Sequence, residues 1–286
     1  MTPHAVSRLR TARLARSSKP FRARGGSDVP RCPGCRLVVS HCLCAERPVV
    51  PTRAGMCLIM ADIEALKPSN TGWLIADVVA DTYAFGWART EVEPALLALL
   101  ADPQWQPYVV FPGEFVEPTR VVTELIPPAE ERQFPAGPPH GELTPPVGSD
   151  PRSGGAWGSV PRPLFVLLDA TWPEARKMFR KSPYLDRLPV LSLASEQISR
   201  YRLRRSRRDD HFCTSEVGAL CLELAGETLA AQTLEAYLDV FTHHYLQAKH
   251  QLPPQREGAA HVRLKTLALK QQLAIKLGAA PALSTA

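Results

Sequence analysis

The chain has 286 residues, 45% of them hydrophobic, and a formal net charge of +6. This length supports one large domain or two small ones, each with an ample core. No apolar run reaches the about 18–20 residues of a membrane span, and the N-terminus lacks the apolar segment of a secretory signal. We therefore expect a soluble cytoplasmic protein with no membrane contact.

The positive charge is concentrated at the N-terminus. Residues 1–31 contain eight basic residues against one aspartate, so the rest of the chain is close to neutral. Because residues 1–30 contain few large apolar side chains, they are predicted to be a disordered basic arm. Such an arm either attaches the protein to nucleic acid or is a solvated leader without a specific partner.

Four of the seven cysteines follow the arm within thirteen residues, as CxxC and CxC pairs: Cys32, Cys35, Cys42 and Cys44. Without a secretory signal, metal binding is favoured over disulfide formation. Four thiolates at this spacing suit a closed tetrahedral Zn²⁺ site, so residues 31–50 are predicted to be a small structural zinc lobe. Redox thiols or unliganded cysteines are the alternatives, and His41 could replace one thiolate.

Residues 51–250 alternate between strand and helix patterns. The predicted strands cover 55–61, 83–87, 108–111, 164–168 and 190–193, and the predicted helices cover 71–79, 93–101, 173–182, 214–224 and 228–248. This alternation predicts an α/β domain with a layered, mostly parallel sheet and helices on both faces. Residues 127–163, rich in proline and glycine, are predicted to be a flexible surface insertion, and 251–286 a basic, partly helical tail.

The apolar run 164–168 is the predicted centre of the sheet, and it ends at Asp169-Ala170-Thr171-Trp172. Pro173 then begins a helix with acidic Glu174 in its first turn and basic residues towards its end. Open α/β sheets place their ligands at the carboxyl ends of such strands. This turn is therefore the first candidate site. A helix beginning after the polar loop 62–70 offers a second ligand cradle.

A segment with six arginines and one tyrosine spans residues 199–208. It is interpreted either as a phosphate-binding surface with a stacking aromatic or as a solvated loop paired with Asp209 and Asp210. The next helix is predicted to have Thr214 or Ser215 as its cap, with Glu216 in the first turn.

Taken together, these segments resemble the DTW-domain family, which are tRNA-uridine aminocarboxypropyltransferases. The resemblance covers residues 31–245 and rests on five pieces in the family's order: the cysteine cluster, Lys67-Pro68-Ser69-Asn70-Thr71-Gly72, Asp169-Ala170-Thr171-Trp172, Ser199-Arg200-Tyr201-Arg202-Leu203-Arg204 and Cys213-Thr214-Ser215-Glu216-Val217. Two positions depart from it, because Trp73 stands where the family usually has arginine and Ala61 where a histidine is often found.

The resemblance implies a SPOUT-like fold with a C-terminal knot. It also implies that the 3-amino-3-carboxypropyl group of S-adenosylmethionine is transferred to N3 of a tRNA uridine, in the variable loop, with release of methylthioadenosine.

The resemblance implies three groups of site residues. The catalytic group is Asp169, Thr171 and Trp172, with Asp169 as the base or the group that orients N3. The cofactor group is Asn70, Thr71, Gly72, Leu168, Asp169, Cys213, Thr214 and Glu216. The substrate group, which would contact tRNA, is Lys67, Arg176, Lys177, Ser199, Arg200, Tyr201, Arg202 and Arg204. For Trp172, a structural role as a buried helix-capping residue is the alternative to stacking on a base.

Two other functions remain open from the sequence. One is a SPOUT-type RNA methyltransferase with the same cofactor, and the other is a non-catalytic, zinc-containing RNA-binding protein. The sequence is compatible with a monomer or a homodimer.

Overall fold

A computed structural model describes residues 3–18, 29–125, 160–193 and 213–276. One sheet has six strands in the order β2-β1-β5-β3-β6-β4, and every strand pairing in it is parallel. The strands are β1 (Gly55–Met60), β2 (Thr82–Gly86), β3 (Trp105–Val110), β4 (Val121–Val122), β5 (Arg162–Asp169) and β6 (Val190–Leu191). The predicted α/β class and parallel sheet are confirmed.

Seven α-helices are found in the described ranges: α1 (Ala5–Ala15), α2 (Gly72–Val78), α3 (Pro94–Ala101), α4 (Trp172–Arg180), α5 (Thr214–Leu224), α6 (Thr228–Lys249) and α7 (Ala259–Lys276). None of the helices in these ranges is both long and apolar enough to cross a bilayer. The SPOUT-like knot stays a prediction, and residues 194–212, between β6 and α5, lie outside the described residues.

The sheet is covered on both faces because its central strands carry apolar side chains on both faces. Met56, Leu58 and Met60 of β1 pack into one core, together with residues of α2, α5 and α6. Cys57 and Ile59 point the other way, into a second core formed with α3 and α4. Successive side chains of a strand alternate between faces, so a continuous apolar run fills two cores at once.

Strand β5 lies between β1 and β3, at the centre of the sheet. It begins at Arg162, so the last two residues of the predicted insertion belong to the strand; the rest of that insertion, up to residue 159, lies outside the described residues. Met60 of β1 is in register with Asp169, and the Ala61 amide donates to the Asp169 carbonyl at 3.0 Å. The Asp169-Ala170-Thr171-Trp172 turn is therefore fixed to the carboxyl ends of two neighbouring strands.

The cysteine lobe packs on the face of the sheet that α2, α5 and α6 cover. Leu37 and Leu43 are buried in the core shared with α6, which supplies the apolar contacts that the lobe itself lacks. His41 is turned away from the cysteines, since its Nδ1 lies 3.0 Å from Ser40 Oγ and its Nε2 3.1 Å from the Leu252 carbonyl.

The prediction of a disordered arm over residues 1–30 is wrong for residues 5–15, which form α1. This helix is held by the burial of Val6 in the main core and by several polar contacts. Arg10 donates to the carbonyls of Ala65 and Leu66, and Arg13 forms a two-pronged pair with Asp62, with N–O distances of 2.6 and 2.7 Å. Alanine, leucine and arginine also favour helix intrinsically. Residues 19–28 of the arm lie outside the description.

A buried carboxylate joins three parts of the fold. Asp77 of α2 lies 2.7 Å from Arg47 Nε in the cysteine lobe and 3.5 Å from His4 Nε2 before α1. The Tyr237 hydroxyl of α6 donates to it at 3.1 Å. Burial raises the pKa of Asp77 to about 6, so the group is largely ionised at pH 7 and accepts charge-assisted hydrogen bonds.

We therefore expect Tyr237→Phe to lower the free energy of unfolding at pH 7 by about 1.5–3 kcal/mol, because a buried charged acceptor loses its donor. Tyr245→Phe on the same helix is the control and should change it by less than about 0.5 kcal/mol. Urea unfolding measures both. Equal effects of the two substitutions would show that the Asp77 contact contributes nothing.

Candidate functional site

Asp169 is the point at which three separate segments of the chain meet. Its Oδ2 accepts from Asn70 Nδ2 at 2.7 Å, and its Oδ1 accepts from Thr214 Oγ1 at 2.6 Å. Asp169 is buried, with 3% of the residue's surface exposed. The loop before α2, the end of β5 and the start of α5 thus share one carboxylate. Leu168, the preceding residue of β5, is half-buried beside it.

Gly72 allows this approach because it has no side chain. A Cβ placed at position 72 would lie 2.4 Å from Asp169 Oδ2, closer than any non-bonded contact allows. Asn70 Oδ1 accepts from the Trp73 amide at 3.0 Å, so the asparagine both fixes the first turn of α2 and orients Asp169. The predicted cofactor residues Asn70 and Gly72 therefore contact the predicted catalytic one.

The surroundings of Asp169 have opposing effects on its pKa. Burial is the largest influence on its carboxyl and raises its pKa, against the lowering effect of the hydrogen bonds from Asn70 and Thr214 and of the nearby charge on Lys67. Lys67, predicted to contact RNA, is half-buried and pairs with Glu64. Burial also raises the pKa of Glu64. Sequence reasoning missed Glu64 as a site residue, although its position three residues before Lys67 on a turn was a usable signal.

The start of α5 forms the other wall of the site. Cys213, rather than the predicted Thr214 or Ser215, is its N-cap, and Glu216 accepts from the Cys213 amide at 2.8 Å. The Ser215 amide donates to Thr71 Oγ1 at 3.4 Å, which joins this helix start to that of α2. Burial raises the pKa of Cys213 to about 12, so its thiol stays protonated and is a poor nucleophile.

The Asp169-Ala170-Thr171-Trp172 turn has a structural role as well. Thr171 caps α4, with Glu174 completing the reciprocal capping pair. The Trp172 ring stacks on Phe111, with centroids 5.5 Å apart and planes at 18°, and meets Phe115 edge-on. Trp172 is only half-buried, so it closes an aromatic cluster and keeps part of its surface accessible.

Helix α4 presents a basic face beside this turn, formed by the exposed side chains of Arg176, Lys177, Arg180 and Lys181. The Arg176 guanidinium lies 4.5 Å from the centroid of the Phe115 ring, and Lys177 Nζ lies 5.8 Å from that of Trp87. The predicted substrate residues Ser199, Arg200, Tyr201, Arg202 and Arg204 lie outside the described residues.

A cavity of about 560 Å³ opens at the same edge of the sheet, at the ends of β1 and β2. It is lined by Met60, Ala61 and Gly86 at the strand ends and by Leu9 and Arg13 of α1. None of the predicted cofactor residues lines this cavity. We therefore place the candidate site at Asp169, where the three motif segments converge, and not in this cavity.

The four cysteines form a compact cluster. Cys32 Sγ lies 3.5 Å from the sulfurs of Cys42 and Cys44, and all four sulfurs lie within 4.8 Å of one another. Zn–S bonds of about 2.3 Å in a tetrahedron require sulfurs about 3.8 Å apart, so the donor set fits one zinc ion. A Cβ at Gly34 would lie 2.7 Å from Cys44 Sγ, so the knuckle needs glycine there.

A family model described as "DTW domain" matches residues 29–246. The match covers the cysteine lobe, the sheet and helices α2 to α5 and most of α6, but it excludes α1 and α7. No solved structure matches the chain.

Gly72→Ala should lower the free energy of unfolding by about 1–3 kcal/mol, because its Cβ forces Asp169 and α2 apart. In urea unfolding, Gly86→Ala is the matched control, since its Cβ would meet only Leu9 Cδ1 at 3.8 Å, an ordinary contact. A Gly72→Ala protein as stable as the control would show that the close approach is relaxed in solution.

The purified protein should contain about one zinc ion per chain, and Cys35→Ser should lose it together with stability, because a structural site contributes folding free energy. Elemental analysis and thermal unfolding measure these effects. Cys57→Ala is the control, since Cys57 is buried in the core on the other face of the sheet and should leave the zinc content unchanged. Full zinc content in the Cys35→Ser protein would contradict the site.

Proposed function

The chain belongs to the DTW-domain family, and on that premise we propose that it is a cytoplasmic tRNA-modifying enzyme. In the proposed reaction it transfers the 3-amino-3-carboxypropyl group of S-adenosylmethionine to N3 of a tRNA uridine. The observation that carries the proposal is the convergence of Asn70, Asp169 and Thr214 at the carboxyl edge of the sheet. Ligands of open α/β sheets bind at this edge.

The reaction balances without a metal or redox partner. A bond forms between uridine N3 and the γ-carbon of the transferred group, and the bond from that carbon to sulfur breaks. The positive charge on sulfur is lost, methylthioadenosine leaves as a neutral thioether, and the N3 proton passes to the enzyme. The sulfonium is itself a good leaving group, so the chain has to position two substrates and accept one proton.

Asp169 is the proposed proton acceptor, or the group that orients N3. Each of its oxygens accepts one hydrogen bond from the described residues, and a carboxylate oxygen can accept two. A raised pKa makes the carboxylate a better base near neutral pH. General-base assistance of this kind contributes about 10²–10⁴-fold to a rate.

The start of α5 is the proposed place for the amino-acid end of S-adenosylmethionine. Ser215 Oγ is buried there without a hydrogen-bond partner in the described part of the chain, so it is available to a ligand. The positive end of an eleven-residue helix suits a carboxylate. Thr71, Gly72, Leu168, Cys213, Thr214 and Glu216 would surround the rest of the cofactor.

The basic face of α4 is the proposed tRNA contact. Arg176 and Lys177 suit phosphates, and the accessible part of Trp172 suits stacking with a base. The arginine-rich segment 199–208, with Tyr201, would extend this surface, and the SPOUT-like knot belongs to the same proposal. The cysteine cluster would hold a structural zinc ion with no open coordination position, and this ion would take no part in the reaction.

The decisive experiment incubates the protein with unmodified tRNA and S-adenosylmethionine, followed by mass spectrometry of the nucleosides and of the released product. We expect aminocarboxypropyl-uridine and methylthioadenosine. A methylated nucleoside with S-adenosylhomocysteine would indicate a SPOUT-type methyltransferase instead. Binding of tRNA with no product would indicate a non-catalytic RNA-binding protein.

In this assay, Asp169→Asn should lower the rate by about 10²-fold or more, because the amide cannot accept the N3 proton. Asp186→Asn is the control, because Asp186 is exposed beyond the end of α4 and should leave the rate unchanged. An Asp169→Asn protein with the wild-type rate would exclude Asp169 as the base.

A further inference from the structure

Arg36 is an arginine buried inside the fold, with 1% of its surface exposed. It directly follows Cys35, and its backbone has the left-handed φ of 66°, which is unusual for a residue with a side chain. The Arg36 amide donates to the Cys32 carbonyl at 2.8 Å, so the cysteine knuckle fixes this backbone conformation. The direction of the Arg36 side chain is therefore set by the cysteine lobe.

The guanidinium of Arg36 reaches from the lobe to the loop before α2. Its Nη1 donates to the carbonyls of Lys67 and Asn70, at 3.0 and 2.9 Å. The group lies 4.3 Å from the centroid of the Trp73 ring and 5.5 Å from that of Phe241. Among the described residues no carboxylate forms an ion pair with it, so its contacts are to backbone carbonyls and aromatic faces.

The carbonyl that Arg36 holds belongs to the residue that orients the carboxylate. The backbone carbonyl of Asn70 accepts a hydrogen bond from the guanidinium, and its side-chain Nδ2 donates one to Asp169. Its side-chain oxygen also accepts from the amide of Trp73, whose ring packs against the same guanidinium. Arg36 thus holds Asn70 both directly and through Trp73. It acts on Asp169 only through Asn70.

We propose that Arg36 is a positioning residue that connects the cysteine lobe to Asp169. Burying a guanidinium without a direct carboxylate partner costs free energy, so its place here is explained by the loop that it orders. The lobe would then set the geometry of the carboxylate. The kinetic part of this proposal rests on the proposed transfer reaction, whereas the ordering of residues 67–74 does not.

The test compares Arg36→Met and Arg36→Lys with Arg162→Met in the zinc-loaded protein. Arg162 is a matched control because its guanidinium also stacks on a tryptophan, 4.1 Å from the centroid of Trp105, at the opposite end of β5. We expect Arg36→Met to lower kcat by about 10–100-fold, with KM for tRNA within about threefold, because misplacing a catalytic group slows chemistry more than binding. Arg36→Lys should fall between it and the wild type, and Arg162→Met should match the wild type.

Hydrogen–deuterium exchange supplies a readout that needs no activity. In Arg36→Met the amides of Asn70, Trp73 and Leu74 should exchange about tenfold or more faster, because the loop that holds them loses its anchor. Amides of α6 should keep their protection, and the zinc content should stay at the wild-type value. If Arg36→Met does not fold, the same comparisons are made with Arg36→Lys.

Unchanged exchange in residues 67–74 would overturn the positioning role, whether or not the protein transfers the group. Kinetic equality of Arg36→Met and Arg162→Met would also overturn it, as would a raised KM with unchanged kcat. If the wild-type protein forms no aminocarboxypropyl-uridine but the exchange prediction is met, the proposed reaction fails and the ordering of the loop by Arg36 stands.

Discussion

The buried carboxylate of Asp169 is the constraint on which the rest of the site depends. A charge removed from water must be compensated by hydrogen bonds, and here the donors come from the starts of two different elements. Asn70 holds one oxygen and Thr214 the other. This arrangement requires β5 to end between the starts of α2 and α5, and it requires a glycine at position 72 to leave room. The topology of the sheet can therefore be understood as the means of bringing these three points together.

The sequence predicted the strands and helices well because each is a local pattern. The runs in β1 and β5 are apolar on both faces, which only a buried central strand explains. The sequence could also rank Asp169 first, since it ends the most apolar strand. It could not predict which residues hold the carboxylate, because Asn70 and Thr214 are 99 and 45 residues away along the chain. The stack of Trp172 on Phe111 was hidden for the same reason.

Two features were not predicted from the sequence, each for a physical reason. Helix α1 is largely polar, so its composition indicated disorder, yet Val6 is buried in the main core, Arg10 donates to backbone carbonyls and Arg13 pairs with a carboxylate. The burial of Arg36 against Trp73 was not predicted at all. In both cases an arginine uses its flat, many-donor head to satisfy backbone groups, which composition alone does not reveal.

The docking of α1 has a consequence for what counts as the folding unit. The matched family region begins at residue 29, but His4 packs edge-on against Trp73, and Val6 is completely buried in the main core. A fragment cut at the family boundary would therefore uncover indole and aliphatic surface beside the polar cluster around Asp77. The segment that the family model matches is therefore shorter than the segment that packs as one core. Recombinant fragments should include α1 as well as the matched residues.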